Sequence, residues 1–119
     1  MAASPTQRSL DLLRKDGYLA GVVEKWIPQT RRRKDLFGFI DIMCVKEGET
    51  LAVQATSYAG VPARVKKIYE ECGDALIDVL AAGWTVEVWG WKKKKVGKTN
   101  RWSVRRVKCE LDHTSSYTE

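Results

Sequence analysis

The chain has 119 residues, 44% of them hydrophobic and 30% charged, and its 21 Lys and Arg exceed its 15 Asp and Glu for a net charge of +6. That length suits one domain with a real core and is short for two, and no apolar run approaches the roughly 20 residues of a membrane-crossing helix. The start, MAASPTQRSL, lacks the layout of a signal peptide, and widely spaced Cys44, Cys72 and Cys109 with a single histidine argue against zinc or a disulfide framework, so the expectation is an intracellular, cytoplasmic protein.

Ser4 before Pro5 predicts a helix start and Gly17 its end, with Leu10, Leu12 and Leu13 as the apolar stripe. YLAGVVEKWIP is rich in β-branched and aromatic residues and predicts one strand, stopped by Pro28. The basic loop QTRRRKD, with Arg31, Arg32, Arg33 and Lys34, then leads to a second strand over residues 37–45. After the polar turn KEGE, a third strand is expected over 50–56. SYAGV bridges to Pro62 and a helix with Val65, Ile68, Tyr69 and Cys72 at helical spacing. Gly73 breaks or bends that helix, and DALIDVLAAG resumes it. WTVEVWGW and RWSVRRVKCEL read as two last strands joined by a lysine-rich loop. The order α-β-β-β-α-β-β describes one α/β domain over residues 1–111, followed by a polar tail, 112–119.

Charge is unevenly placed. No acidic residue falls between Glu87 and Glu110, where Lys92, Lys93, Lys94, Lys95, Lys98, Arg101, Arg105, Arg106 and Lys108 all lie. Such clusters attract polyphosphate by counterion release, which makes nucleic acid the first partner to consider. Alternation sets Trp89 and Trp91 on one strand face with Glu87, and Val86 and Val88 on the other. One tryptophan face is expected in the core. The other, beside the lysines and Arg101, either packs under their stems or stacks on bases.

The polar residues of strands two and three meet if the hairpin turns at Glu47 and Gly48. Pairing Lys46 with Glu49 sets Asp41 opposite Gln54, and the period of two puts Thr56 on the same face. Aspartate is a poor strand former, yet this one sits inside the apolar run FGFIDIMCV. A carboxylate there belongs to an exposed sheet edge or to a site.

The run LLRKDGY…GFIDI…LAVQATS, followed by a helix, resembles the core of the PD-(D/E)xK nuclease superfamily, in its Holliday-junction resolvase-like and phage or bacterial VRR-type branches. The resemblance spans roughly residues 8–85. It implies a restriction-endonuclease-like αβββαβ core, a mixed central sheet flanked by helices. It also implies Mg²⁺ or Mn²⁺ held by an aspartate and a Glu-type position, with a lysine polarising the attacking water. Asp41 matches the aspartate, Gln54 the acidic position and Thr56 the lysine position. Gln still offers an amide oxygen to a hard cation, whereas Thr removes a charge, and the family's first-helix glutamate has no match near Thr6 or Gln7. Glu24 and Asp35 are candidate replacements for the missing carboxylate. Arg64, Lys66 and Lys67 on the following helix are candidates for the missing cation. The resemblance thus implies a metal-dependent endonuclease acting on duplex or branched DNA, and, since the related resolvases work as dimers, a homodimer; a nucleic-acid-binding module without chemistry stays open beside it. Arg31 to Lys34, Arg64, Lys66, Lys92 to Lys95 and Arg101 are the expected nucleic-acid contacts.

Overall fold

Ser4 caps the first helix, its hydroxyl accepting the Gln7 N–H at 3.1 Å. Pro5 follows in the first turn, where a missing N–H costs nothing. This helix, α1, runs Pro5–Lys15, and Gly17 at φ +94° turns the chain out of it. The computed structural model describes residues 3–111, so the expected tail at 112–119 lies outside the described residues.

The first strand ends earlier than its composition suggests. β1 covers Leu19–Val22 and pairs antiparallel with β4, Ile42–Lys46. The chain then leaves this sheet, and Lys25–Ile27 (β2) forms a separate small hairpin with Arg32–Lys34 (β3). The expected basic loop is therefore largely a hairpin. The second strand also starts later, at Ile42 rather than 37. Before it the chain folds into a turn in which Phe37 and Gly38 take φ of 56° and 86° and the Ile40 N–H donates to the Leu36 carbonyl. That turn drives Phe39 and Ile40 fully into the core.

β4 turns at Glu47 and Gly48 into β5, Glu49–Ser57, with Lys46 facing Glu49 and Ile42 facing Val53. Gly48 at φ +73° supplies the left-handed residue such a tight hairpin requires. A 3-10 turn, Tyr58–Gly60, leads into α2, Val61–Glu71, and α3, Gly73–Ala81, with the break at Cys72 and Gly73 as expected. These helices carry the chain over the sheet to β6, Thr85–Val96, which lies parallel to β5. A parallel pair needs such a crossover, because a hairpin reverses direction. β7, Thr99–Cys109, returns antiparallel to β6. The lysines expected in a loop are strand residues, since β6 continues through Lys92 to Lys95 before turning at Gly97.

The result is a five-stranded mixed sheet in the order β1-β4-β5-β6-β7, with helices on both faces. On one face α1 buries Leu10 and Leu13 against Ile42, Cys44, Leu51, Val53, Trp89 and Trp91. On the other, α2 and α3 bury Val61, Ile68, Leu76 and Val79 against Ala52, Val86 and Val88. Burying each such side chain is worth about 1.5–3 kcal/mol, so the two apolar layers hold the sheet between them. No helix among the described residues is long and apolar enough to cross a membrane.

Candidate functional site

The β4–β5 ladder stops one step short of Asp41, and this is where the site begins. The Asp41 N–H donates to the Val53 carbonyl at 3.0 Å, and its carbonyl accepts the Val23 N–H at 2.8 Å. The register Lys46 to Glu49 is as the turn geometry predicts, but the ladder ends with Ile42 facing Val53, so the expected pairing of Asp41 with Gln54 is replaced by a bend in which the Asp41 N–H turns to the Val53 carbonyl. The Asp41 carboxyl accepts the Ala55 N–H at 2.8 Å. The side chain thereby satisfies a backbone donor beyond the end of the β4 ladder, a structural duty that does not require a ligand.

What that duty does not explain is the company Asp41 keeps. Leaving the sheet after β1 brings Glu24 inward, and the end of β3 brings Asp35 to the same place. One carboxylate oxygen from each of Glu24, Asp35 and Asp41 lies within 4.8 Å of the others. Both candidates for a third carboxylate arrive, where the sequence left the choice open. Burial, opposed by the Ala55 N–H but reinforced by a hydrogen bond and like charge from Asp35 and by the charge of Glu24, pushes the Asp41 carboxyl up to about 8. Arg33 is the one cation paired to the cluster among the described residues, bonding Glu24 at 2.9 Å from the solvent side.

Gln54 completes the arrangement. It is 1% exposed, and its Nε2 donates to Asp35 at 3.1 Å. Its Oε1 is buried with no hydrogen-bond partner, an uncommon state for a polar atom, which costs about 1–3 kcal/mol if nothing meets it. Three carboxylates and an amide oxygen are the donor set of a hard divalent cation. A cation among the three carboxylates would relieve the crowding of negative charge, so these residues fit Mg²⁺ or Mn²⁺.

Thr56 shares the face of Gln54 and is buried. A Cβ added at Gly60 would lie 2.5 Å from its Oγ1, so the turn after β5 closes tightly over this position. On α2, Lys66 points to solvent beside Glu70, 4.0 Å away. Arg64 and Lys67 are half-buried. Lys67 and Asp35 act in opposite senses on the Cys72 thiol, which burial chiefly raises. Of the two lysines, Lys67 is the less exposed.

The basic residues divide into two hairpins. Arg31, Arg32 and Lys34 stand exposed on the β2–β3 hairpin, while Arg33 is turned to Glu24. Lys92, Lys93, Lys94, Lys95 and Arg101 lie exposed on the β6–β7 hairpin beyond Ser57 and Trp91, the last paired level of β5 with β6. Both hairpins leave the sheet at the end where Asp41 precedes β4 and where β5 ends just after Thr56. The tryptophans resolve as Trp89 and Trp91 in the core and Trp102 half exposed. Sequence reasoning passed over Tyr58 and Arg8, which hold cations against their neighbours. Lys92 Nζ lies 4.3 Å from the Tyr58 ring centroid, and the Arg8 guanidinium 3.6 Å from that of Trp102.

Comparison with protein-family models, with curated proteins and with solved structures found no match to this chain.

Proposed function

We propose that this chain is a metal-dependent phosphodiester hydrolase acting on DNA, built on the restriction-endonuclease-like core that its resemblance to the PD-(D/E)xK superfamily implies. One observation carries the reading: three carboxylate oxygens lie within 4.8 Å, and Gln54, hydrogen-bonded to Asp35 through Nε2, has a buried Oε1 with no partner. The succession of helix, antiparallel strands, helices and parallel strand supports it.

In this reading Asp41, Asp35 and Gln54 hold the ion and Glu24 adds charge. Mg²⁺ or Mn²⁺ bound there supplies Lewis-acid stabilisation of phosphoryl charge and lowers the pKa of a bound water. Burial of Gln54 in β5 and the hydrogen bond of the buried Asp41 to the Ala55 N–H fix their direction, so little reorganisation is needed when a phosphate arrives. Lys67 stands in for the missing strand lysine and offsets charge developing on the phosphate. The basic hairpins deliver duplex or branched DNA to the same end of the sheet. Intracellular action, and pairing of two copies across a branched substrate, belong to the same reading.

A second reading keeps the fold and the DNA but not the chemistry. Thr56, at the lysine position, carries no charge and is sealed by Gly60, which favours a binding module. Calorimetric titration with Mn²⁺, followed by incubation with duplex, single-stranded and branched DNA, separates the two. The hydrolase requires Mn²⁺ binding that Asp41→Ala abolishes, together with metal-dependent cleavage lost in the same variant. DNA binding without cleavage of any substrate assigns the module instead.

A further inference from the structure

The β6–β7 hairpin has two chemically different faces, and its register decides which residues belong to each. Residues paired directly across an antiparallel ladder share a face. Gly90 pairs with Arg105, Lys92 with Ser103 and Lys94 with Arg101, whereas Trp91 pairs with Val104, Lys93 with Trp102 and Lys95 with Asn100. The parallel register sets Gln54 beside Val88 and Thr56 beside Gly90. The face bearing Lys92, Lys94, Arg101 and Arg105 is therefore the face of the carboxylate cluster. The other is the α1 face, where Arg8 stacks on Trp102 and Lys93 Nζ lies 5.6 Å from the same ring.

The cluster side also contains a device that holds its cations in place. Tyr58 ends the β5 face, with Lys92 4.3 Å and Arg105 5.8 Å from its ring centroid. Gly90 lets that turn lie close, because a Cβ there would come within 2.2 Å of Val61 Cγ2 and 3.1 Å of the Tyr58 Cα. A ring that gathers two cations lowers the rotamer entropy they lose when they grip an anion. Further out, Lys94 follows Lys92 on the same face, two strand residues or about 6.8 Å along it.

We infer that the hairpin binds a nucleic-acid backbone with one face only: Arg105 and Lys92, gathered on Tyr58, then Lys94 and Arg101, form a row of phosphate contacts leading to the carboxylate cluster, while the Trp102, Lys93 and Arg8 face braces the hairpin against α1. This rests on the reading that the partner is DNA, but not on the reading that DNA is cleaved.

The test compares two double variants of the full chain with equal charge and adjacent positions, Lys92→Ala with Lys94→Ala, and Lys93→Ala with Lys95→Ala. Binding of a short labelled duplex is followed by fluorescence anisotropy from about 50 to 200 mM salt, with chelator present so that cleavage plays no part. The cluster-side pair is expected to flatten the log–log salt slope by about 1.8 and to weaken binding several tens of fold near 0.1 M salt, at about 0.9 of slope per lost contact. The α1-side pair should keep the wild-type slope. Equal losses in the two pairs, no loss in either, or no binding by the wild type would each overturn the inference. Absence of cleavage with Mg²⁺ or Mn²⁺ bears on the hydrolase reading alone, because the anisotropy contrast between the pairs is measured without metal.

Discussion

At the scale of single residues, Asp41 links stability, pH and metal. Its carboxyl stands at about 8 in the folded chain against an ordinary 3.8, so the folded state keeps a proton that the unfolded chain releases. The resulting stabilisation is complete below about pH 4 and is lost as pH rises toward 8. In metal-free buffer the wild type should therefore lose melting temperature relative to Asp41→Asn across that window, and Asp41→Asn should be the more stable at pH 8. Mn²⁺ should raise the wild-type melting temperature, more at pH 8 than at pH 5, because it binds the deprotonated form. Parallel melting curves for the two proteins throughout that window would show that the carboxyl is not perturbed. Gly90 makes a purely steric prediction. A methyl group there meets Val61 Cγ2 at 2.2 Å and the Ser57 carbonyl oxygen at 3.1 Å, so Gly90→Ala should cost about 1–3 kcal/mol in urea unfolding.

At the scale of elements, the long hairpin depends on α1. The Trp91 indole N–H donates to the Ser9 hydroxyl at 2.9 Å, and Ser9 in turn donates to the Pro5 carbonyl at 2.8 Å. Ser9→Ala leaves a buried donor unpaired and should cost about 1–3 kcal/mol by denaturant titration. The α2 helix sorts its lysines in a similar way. Lys66 faces solvent, and Lys67 is half-buried. If DNA is cleaved, Lys67→Ala should reduce the rate at least tenfold with Mn²⁺ affinity little changed, and Lys66→Ala should leave it within a factor of two; these are order-of-magnitude expectations for removal of one transition-state contact, about 1.4 kcal/mol or more. Thr56→Lys is a poorer test, because Thr56 is buried and a lysine there would carry its charge into the covered face of the sheet. β7 is an edge strand, and Arg101, Arg105, Arg106 and Lys108 along it discourage pairing with another chain.

At the scale of the whole molecule, the two basic hairpins rise from opposite sides of the sheet on either side of the carboxylates. β2–β3 follows the edge strand β1, and the second hairpin is formed by β6 and β7 at the other edge. A polyanion approaching that end meets positive charge on both flanks before it reaches the cluster. Changing Arg31, Arg32 and Lys34 to Ala should therefore lower DNA affinity and flatten its salt slope additively with loss of Lys92 and Lys94, as expected for separated contacts. An unchanged slope would place the β2–β3 hairpin outside the interface. Arg33 is left out of that set because its pairing with Glu24 ties it to the carboxylates.

The sequence by itself determined what depends on near neighbours. Ser4, Pro5 and Gly17 bound α1, Gly73 marks the break between α2 and α3, and the Glu47–Gly48 turn sets the β4–β5 register from Lys46 facing Glu49. Alternation likewise placed Trp89 and Trp91 together on a core face. Only the tertiary structure decided that the apolar run after Tyr18 splits between two sheets, because Val22 has a partner in β4 while Lys25 finds one in β3. It also decided that Lys92 to Lys95 form strand rather than loop: a solvent-exposed strand needs no apolar alternation, so its signal is the partner strand across from it. Glu24, Asp35 and Asp41 come from three separate segments, and their meeting is a property of chain path that no local pattern encodes.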